Sequence, residues 1–233
     1  MCSSDLEIAA LSARGLRLNA SRDAVGDVAA VVVAVKPQVA GEVMPALAPF
    51  VGGATVVVSI MAGRTLRFLA ASLPRAAIVR AMPNTPAAIG RGITVAVANA
   101  RVSAAQRALV DALLSAVGGV EWVADETLMD AVTALSGSGP AYVFLLAEAM
   151  SRAGTAAGLP AALAATLTRA TVAGAGELLH RSPLDAATLR QNVTSPGGTT
   201  AAALNVLMAK SGLGTLMEKA VAAATKRSRE LAG

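Results

Sequence analysis

The chain is poor in the side chains that do chemistry unaided. Its 233 residues include one cysteine, Cys2, and one histidine, His180. A single cysteine excludes an internal disulfide, and a single histidine excludes a zinc cluster of Cys and His ligands, so no metal is expected. His180 closes a helical run with no acidic partner evident, which argues against a Cys/His or Ser/His nucleophilic pair and suits a residue complementing a helix dipole. Aromatic residues make up only 2% of the chain, against 55% hydrophobic residues overall. The core must therefore be aliphatic and alanine-rich, and few rings are left to stack bases. The net charge of +5 comes from scattered basic residues, so nucleic acid is not expected as a partner. The longest apolar runs, such as Val28 to Val35, fall far short of the roughly 20 residues of a membrane span. No targeting segment is visible, and the expectation is a soluble, cytoplasmic protein whose chemistry comes from a bound cofactor.

What is present falls into two parts, α/β followed by all-α, with domains expected at residues 1–124 and 125–233. Val31 to Val35 and Thr55 to Ile60 are continuous valine-rich runs, the pattern of strands buried on both faces of a parallel sheet. Val43, Met44 and Leu47 mark a short helix interrupted by Pro45 and Pro49. Leu66 to Leu73 reads as a helix, Ile78 to Met82 and Gly92 to Ala98 as strands, and Ala104 to Val117 as a further helix. From about Glu126 the pattern is helical: Leu128 to Leu135, an SGSGP turn at Ser136 to Pro140, then Ala141 to Gly154, Ala161 to His180 and Leu184 to Val193. So many helices with apolar faces suggest burial against a second copy of the chain.

The richest local signal is Ser195-Pro196-Gly197-Gly198-Thr199-Thr200. Pro196 stiffens a turn, Gly197 and Gly198 let the backbone bend tightly, and Thr199 or Thr200 can cap a helix over Ala201 to Ala209. The unpaired amides and dipole of such a helix attract a small carboxylate, although a capped interhelical turn without a ligand explains the residues equally well. Loops at the carboxyl ends of parallel strands line a ligand crevice. Those loops are Lys36 and Pro37, Ala62 and Gly63, and the segment Pro83 to Pro86 with Asn84 and Thr85 held between prolines.

Four strings in order, VKP at Val35 to Pro37, AMPNTP at Ala81 to Pro86, LSGSGPAY at Leu135 to Tyr142 and NVTSPGGTT at Asn192 to Thr200, make the chain resemble pyrroline-5-carboxylate reductases from about Leu6 onward. The resemblance implies a Rossmann-type parallel-sheet domain for NADPH or NADH and a helical dimerisation domain. It also implies hydride transfer to the C=N carbon of 1-pyrroline-5-carboxylate, giving proline. It assigns the cofactor to Val35, Lys36, Ala62 and Asn84, with Asn192 reaching it across a homodimer or larger homo-oligomer, and their loop neighbours Ala34, Pro37, Gly63 and Thr85 are expected to line the same site. The substrate falls to Ser195, Thr199 and Thr200; on chemical grounds the turn of Gly197 and Gly198 would add backbone amides for its carboxylate, and the Thr200 hydroxyl, the expected catalytic group, can orient the ring nitrogen. Glu126 resembles a further substrate contact, and an exposed carboxylate before a helix is the equal alternative.

A Rossmann-type domain should open with a strand, a G-x-G-x-x-G turn and a helix, and no such segment stands here. The chain begins MCSSDLEIAALSARG; Met1 to Asp5 match nothing expected, and Leu6 to Leu11 resemble the helix after the second strand. The expectation is a partial Rossmann-type sheet from a truncated or mis-assembled reductase, with Leu16 to Asn19 unpaired, Val31 to Val35 exposed as an edge strand and weak NADPH binding. Two other readings stand beside it. Another NAD(P)-dependent imine or hydroxyacid oxidoreductase would place a catalytic lysine or aspartate on the long helix, where Ala141 to Met150 offer only Glu148. A non-catalytic helical dimerisation fragment would need neither.

Overall fold

The computed structural model describes residues 11, 13–17 and 22–232. The readings placed on Met1 to Asp5, on residues 6–10 and on Asn19 lie outside the described residues, as does Cys2. The chain forms two compact units, Met1–Met82 with Thr94–Glu126 and Pro83–Ile93 with Thr127–Gly233.

In the first unit, after a short helix α1 (Arg22–Val25), the strands β1 (Ala30–Val33), β2 (Val56–Ser59), β3 (Ala77–Met82), β4 (Gly92–Ala98) and β5 (Gly118–Trp122) form one sheet in the order β1-β2-β3-β4-β5. β1, β2 and β3 run parallel, with Val32 opposite Val58 and Val58 opposite Val79. The valine runs are strands because both faces of the sheet are covered, and alternate side chains serve opposite layers. Val57 and Ile78 join Met44, Leu69 and Leu73 beneath α2 (Ala40–Ala46) and α3 (Leu66–Ser72). Val56, Val58, Val79 and Ala96 meet Val110 of α4 (Ala104–Ser115) on the other side. Each such Val, Leu, Ile or Met side chain contributes about 1.5–3 kcal/mol on burial.

Two features differ from the sequence pattern. β4 runs antiparallel to β3, pairing Ala81 with Ala96, so the sheet is mostly rather than wholly parallel. The physical reason lies in the connection: only the short turn Thr85–Ile89 separates the two strands, whereas a parallel return needs a crossover of a dozen residues or more. β5 is an additional strand whose sequence, GGVEW, carries almost no hydrophobic run. It is held by Trp122, which donates from Nε1 to Asp111 at 3.0 Å and stacks under Arg107 of α4.

Among the described residues β1 lies at one edge of the sheet, the position expected for Val31 to Val35, although the strand itself ends at Val33. Val31 and Val33 pack inward, and Val32 on the opposite face is 54% exposed. Leu16 is exposed and in no strand.

The second unit is helical, with α5 (Met129–Val132), α6 (Gly139–Ala156), α7 (Ala161–Arg181), α8 (Ala186–Asn192), α9 (Thr199–Leu207) and α10 (Leu213–Ala232). The SGSGP segment is not a turn. A π-helical turn over Thr133–Gly137 runs through Ser138 directly into α6, with Pro140 in its first turn, where a missing N–H costs nothing. Ser138 N donates to Thr133 O, and the Tyr142 hydroxyl donates to Ala134 O at 2.9 Å, satisfying a carbonyl of the widened turn. α10 is tied back by Ser228 Oγ, which donates to Asp130 Oδ1 at 2.7 Å. Among the described residues no helix is long and apolar enough to cross a membrane.

Candidate functional site

Ser195 to Gly198 form a tight turn in which Gly198 N donates to Ser195 O at 3.0 Å. Pro196 takes the first central position and Gly197, at φ +69°, the second, which is the residue pattern of a type II turn. Gly198 then lies extended, at φ −77° and ψ 172°, and is itself the N-cap of α9. A Cβ at Gly198 would come within 3.2 Å of Ser195 O, so this close return favours glycine. The helix thus begins two residues earlier than the expected Ala201, with Thr199 and Thr200 inside its first turn rather than capping it. The cause is the turn itself, which spends its extended residue on Gly198. No side chain bonds the start of α9, and its first intrahelical donor is Ala202 N, to Gly198 O. The amides of Thr199, Thr200 and Ala201 therefore point out of the helix end without helical partners, beside two hydroxyls, a donor set suited to a carboxylate. Ser195 and Thr199 are exposed and Thr200 is half-buried. Asn192, the last residue of α8, is exposed just before this turn.

Asn84 belongs to the same helical unit. Its carboxamide is fixed at both ends: Oδ1 accepts from Ile93 N at 3.0 Å, and Nδ2 donates to Ser136 Oγ of the π-helical turn at 3.4 Å. Sequence reading missed Ser136 because its partner lies 52 residues away. Thr85 is exposed beside Asn84. The segment is further pinned by Arg91, whose Nη2 donates to Glu177 of α7 at 3.0 Å. The bond from Arg181 and the nearby charge of Arg91 hold the Glu177 carboxyl below its ordinary range. His180 is exposed in the last turn of α7.

In the sheet unit, parallel pairing puts the loop after β1 and the loop after β2 on one edge. Ala34, Lys36 and Ala62 are exposed there, Val35 and Pro37 are half-buried and Gly63 is buried. Arg64, not singled out from the sequence, donates from Nε and Nη2 to Pro37 O at 3.0 and 2.5 Å.

Glu126 stands in the same unit and is already engaged. Its Oε1 accepts from Leu66 N at the start of α3, at 2.7 Å, and from Arg80 Nη1 at 2.9 Å. Arg80 is only 4% exposed, so this carboxylate neutralises a buried guanidinium and satisfies an otherwise free helix amide.

A mostly parallel sheet with open loops at its carboxyl edge, followed in the chain by a helical half with an uncapped helix start, defines the class of Rossmann-type dinucleotide-binding folds with a helical second half. Residues 126–231 match the family described as pyrroline-5-carboxylate reductase dimerisation. The pyrroline-5-carboxylate reductase of Pseudomonas aeruginosa is 47% identical over 217 residues, which is 92% of this chain and 79% of that protein. The Synechocystis protein of the same name is 48% identical, over 86% of this chain and 74% of its own. Among solved structures, a pyrroline-5-carboxylate reductase from Coxiella burnetii superposes with a TM-score of 0.90 at 36% identity, covering 98% of this chain and 86% of that one. The Plasmodium falciparum pyrroline carboxylate reductase, solved with NADP bound, gives 0.80 at 30% identity, covering 93% and 82%. The chain belongs to the pyrroline-5-carboxylate reductase family.

Proposed function

We propose that this protein reduces 1-pyrroline-5-carboxylate to L-proline with NADPH or NADH, the last step of proline synthesis. The observation that carries the reading is the Ser195–Gly198 turn feeding the uncapped start of α9. The amides of Thr199 and Thr200 hold the substrate carboxylate, helped by the positive end of the helix and the Ser195 hydroxyl. Gly197 and Gly198 supply the turn that brings those amides round. The Thr200 hydroxyl, a donor and an acceptor, orients the ring nitrogen by hydrogen bonding as it changes from imine to amine. Threonine is too weak an acid to supply the proton on its own, so the imine takes its proton from solvent.

The sheet edge fits a dinucleotide. Exposed Ala34 and Ala62 leave room for one, and Lys36 brings a cation suited to its phosphates. Val35, Pro37 and Gly63 complete that cradle, and Asn84, Thr85 and Asn192 serve the nicotinamide end. The bound NAD(P)H supplies the hydride to the C=N carbon, and this chain's part is to hold both reactants in register. Glu126 acts through Arg80 and Leu66, keeping α3 and the chain leaving the sheet unit in place. On this reading residues 1–124 carry most of the cofactor cradle and 125–233 the substrate amides together with Asn192, while the segment carrying Asn84 groups with the helices.

The helical half works as a homodimer or larger homo-oligomer. Phe144 is 69% exposed, Leu178 66% and Val206 72%, more apolar surface than a lone copy keeps wet without reason. A cytoplasmic site of action accords with this small-molecule chemistry. Incubation with 4-deuterated NAD(P)H and 1-pyrroline-5-carboxylate should yield proline bearing deuterium at C5, read by mass spectrometry. Cofactor left unoxidised in the presence of that substrate would refute the reading.

A further inference from the structure

We propose that Arg64 is a positioning residue for the cofactor, a clasp that sets the distance between the two sheet-edge loops on which the dinucleotide rests. The inference rests on the reading of that edge as the NAD(P)H cradle and adds to it a residue that touches neither reactant. Arg64 lies two residues beyond Ala62 and just before Thr65, the N-cap of α3, whose hydroxyl accepts from Phe68 N at 3.1 Å. From this fixed root its guanidinium reaches across to the other loop, where Nε and Nη2 both donate to Pro37 O at 3.0 and 2.5 Å. The bond joins residues 27 apart in the chain.

The guanidinium is also held over an aromatic face, its carbon lying 4.5 Å from the centroid of the Phe68 ring. Pro37 opens a short 3-10 turn (Pro37–Val39) in which the same carbonyl also accepts from Ala40 N and Val39 N donates to Lys36 O. Removing the arginine removes the side-chain hydrogen bonds that cross between the two loops, leaving Val35 held by its packing on the core and Lys36 with local bonds only. A lysine does not replace the clasp, since an ammonium has neither the two-pronged geometry nor the flat face that stacks on Phe68. Holding two loops in their bound spacing before the ligand arrives raises affinity by lowering the ordering cost of binding.

The test uses the full chain with Arg64→Ala, Arg64→Lys and Phe68→Leu, reading NADPH and NADH binding by fluorescence titration, initial rates, and hydrogen exchange over residues 36–40. Arg64→Ala is expected to weaken cofactor binding about tenfold, the scale of a lost charged hydrogen bond, and to speed exchange in that loop. At saturating cofactor, kcat and the KM for 1-pyrroline-5-carboxylate should stay within about twofold, since Arg64 bonds only the Pro37 carbonyl and its loss acts on the cofactor-free state. Arg64→Lys should rescue little, and Phe68→Leu, which keeps the arginine and removes its platform, should give a smaller loss in the same direction. Faster exchange with unchanged cofactor affinity would make Arg64 merely structural and overturn the proposal, as would full rescue by lysine or a wild-type chain that binds neither cofactor. Should Arg64→Ala fail to fold, unchanged affinity in the other two variants overturns it equally. Cofactor binding that responds to Arg64 in a chain that makes no proline would instead refute the assigned substrate and leave the clasp standing.

Discussion

The sheet unit hides its apolar side chains and the helical unit does not. Val56, Val57, Val58, Ile78 and Val79 are sealed between α2 and α3 on one face and α4 on the other, and apolar exposure is confined to the margins, at Val32 on the edge strand, Leu16 and Leu113 among others. In the helical unit the buried apolar side chains among the described residues are Met129, Ala134 and Ala164, while Phe144, Leu145, Leu178 and Val206 face outward along its helices. The contrast teaches that the two halves reach stability by different routes. The first completes its core within the chain, and the second awaits a partner surface. The same contrast runs through the proposed ligand sites: the sheet edge is a pair of loops tied by the Arg64 side chain, whereas the α9 start is a bare helix end whose donors are backbone amides.

The largest way to break this contrast is to charge each exposed face in turn. Leu178→Asp is expected to convert the oligomer to monomer and cut turnover at least about 100-fold, because burying an unpaired carboxylate costs several kcal/mol. Val32→Asp should leave the oligomer intact. Light scattering with a reductase assay checks both. A dimer that survives Leu178→Asp would put the partner surface elsewhere.

Next in size is the buried ion pair of the sheet unit. Glu126→Ala leaves Arg80 without its partner and should lower stability by about 1–3 kcal/mol, discounted from a fully buried pair because Glu126 is 28% exposed. Glu126→Gln, which keeps an acceptor for Leu66 N, should lose less. Denaturant melts measure both, and a substrate KM that moves more than stability in either variant would return Glu126 to the substrate site.

The smallest effect belongs to Glu177, whose partners Arg91 and Arg181 are exposed. Its carboxyl is held below the ordinary range, so whatever stability the pairing gives is present at neutral pH and is lost as pH falls through the lowered value. Glu177→Gln should therefore melt slightly below wild type at neutral pH and coincide with it once the carboxylate is protonated. A gap that widens on acidification would show the pairing to be misread.

The sequence shows some of this plainly and conceals the rest for physical reasons. Valine runs announce buried parallel strands, and Pro-Gly-Gly announces a tight turn, because each is a local preference of the residues involved. β5 is invisible in GGVEW because its hold comes from Trp122 meeting Asp111 and Arg107 of α4 rather than from a hydrophobic run of its own. The π-helical turn hides inside SGSGP, whose glycines and proline read as a break until Tyr142 supplies the bond to Ala134. The threonines read as caps because that is their commonest role at a helix start, yet the preceding turn gives the position to Gly198. Ser136, Arg64 and the partners of Glu126 are long-range matters, between residues 27 to 60 positions apart, on which periodicity is silent.

The central claim is that the α9 start binds the substrate carboxylate and Thr200 orients its ring. Its most direct test is an initial-rate analysis of Thr200→Ala with cofactor and 1-pyrroline-5-carboxylate varied together. The expected result is a loss of about tenfold or more in kcat/KM for 1-pyrroline-5-carboxylate with the NAD(P)H dissociation constant unchanged, on the scale of one hydrogen bond in a water-poor site. Kinetics equal to wild type, or a loss confined to cofactor binding, would contradict it.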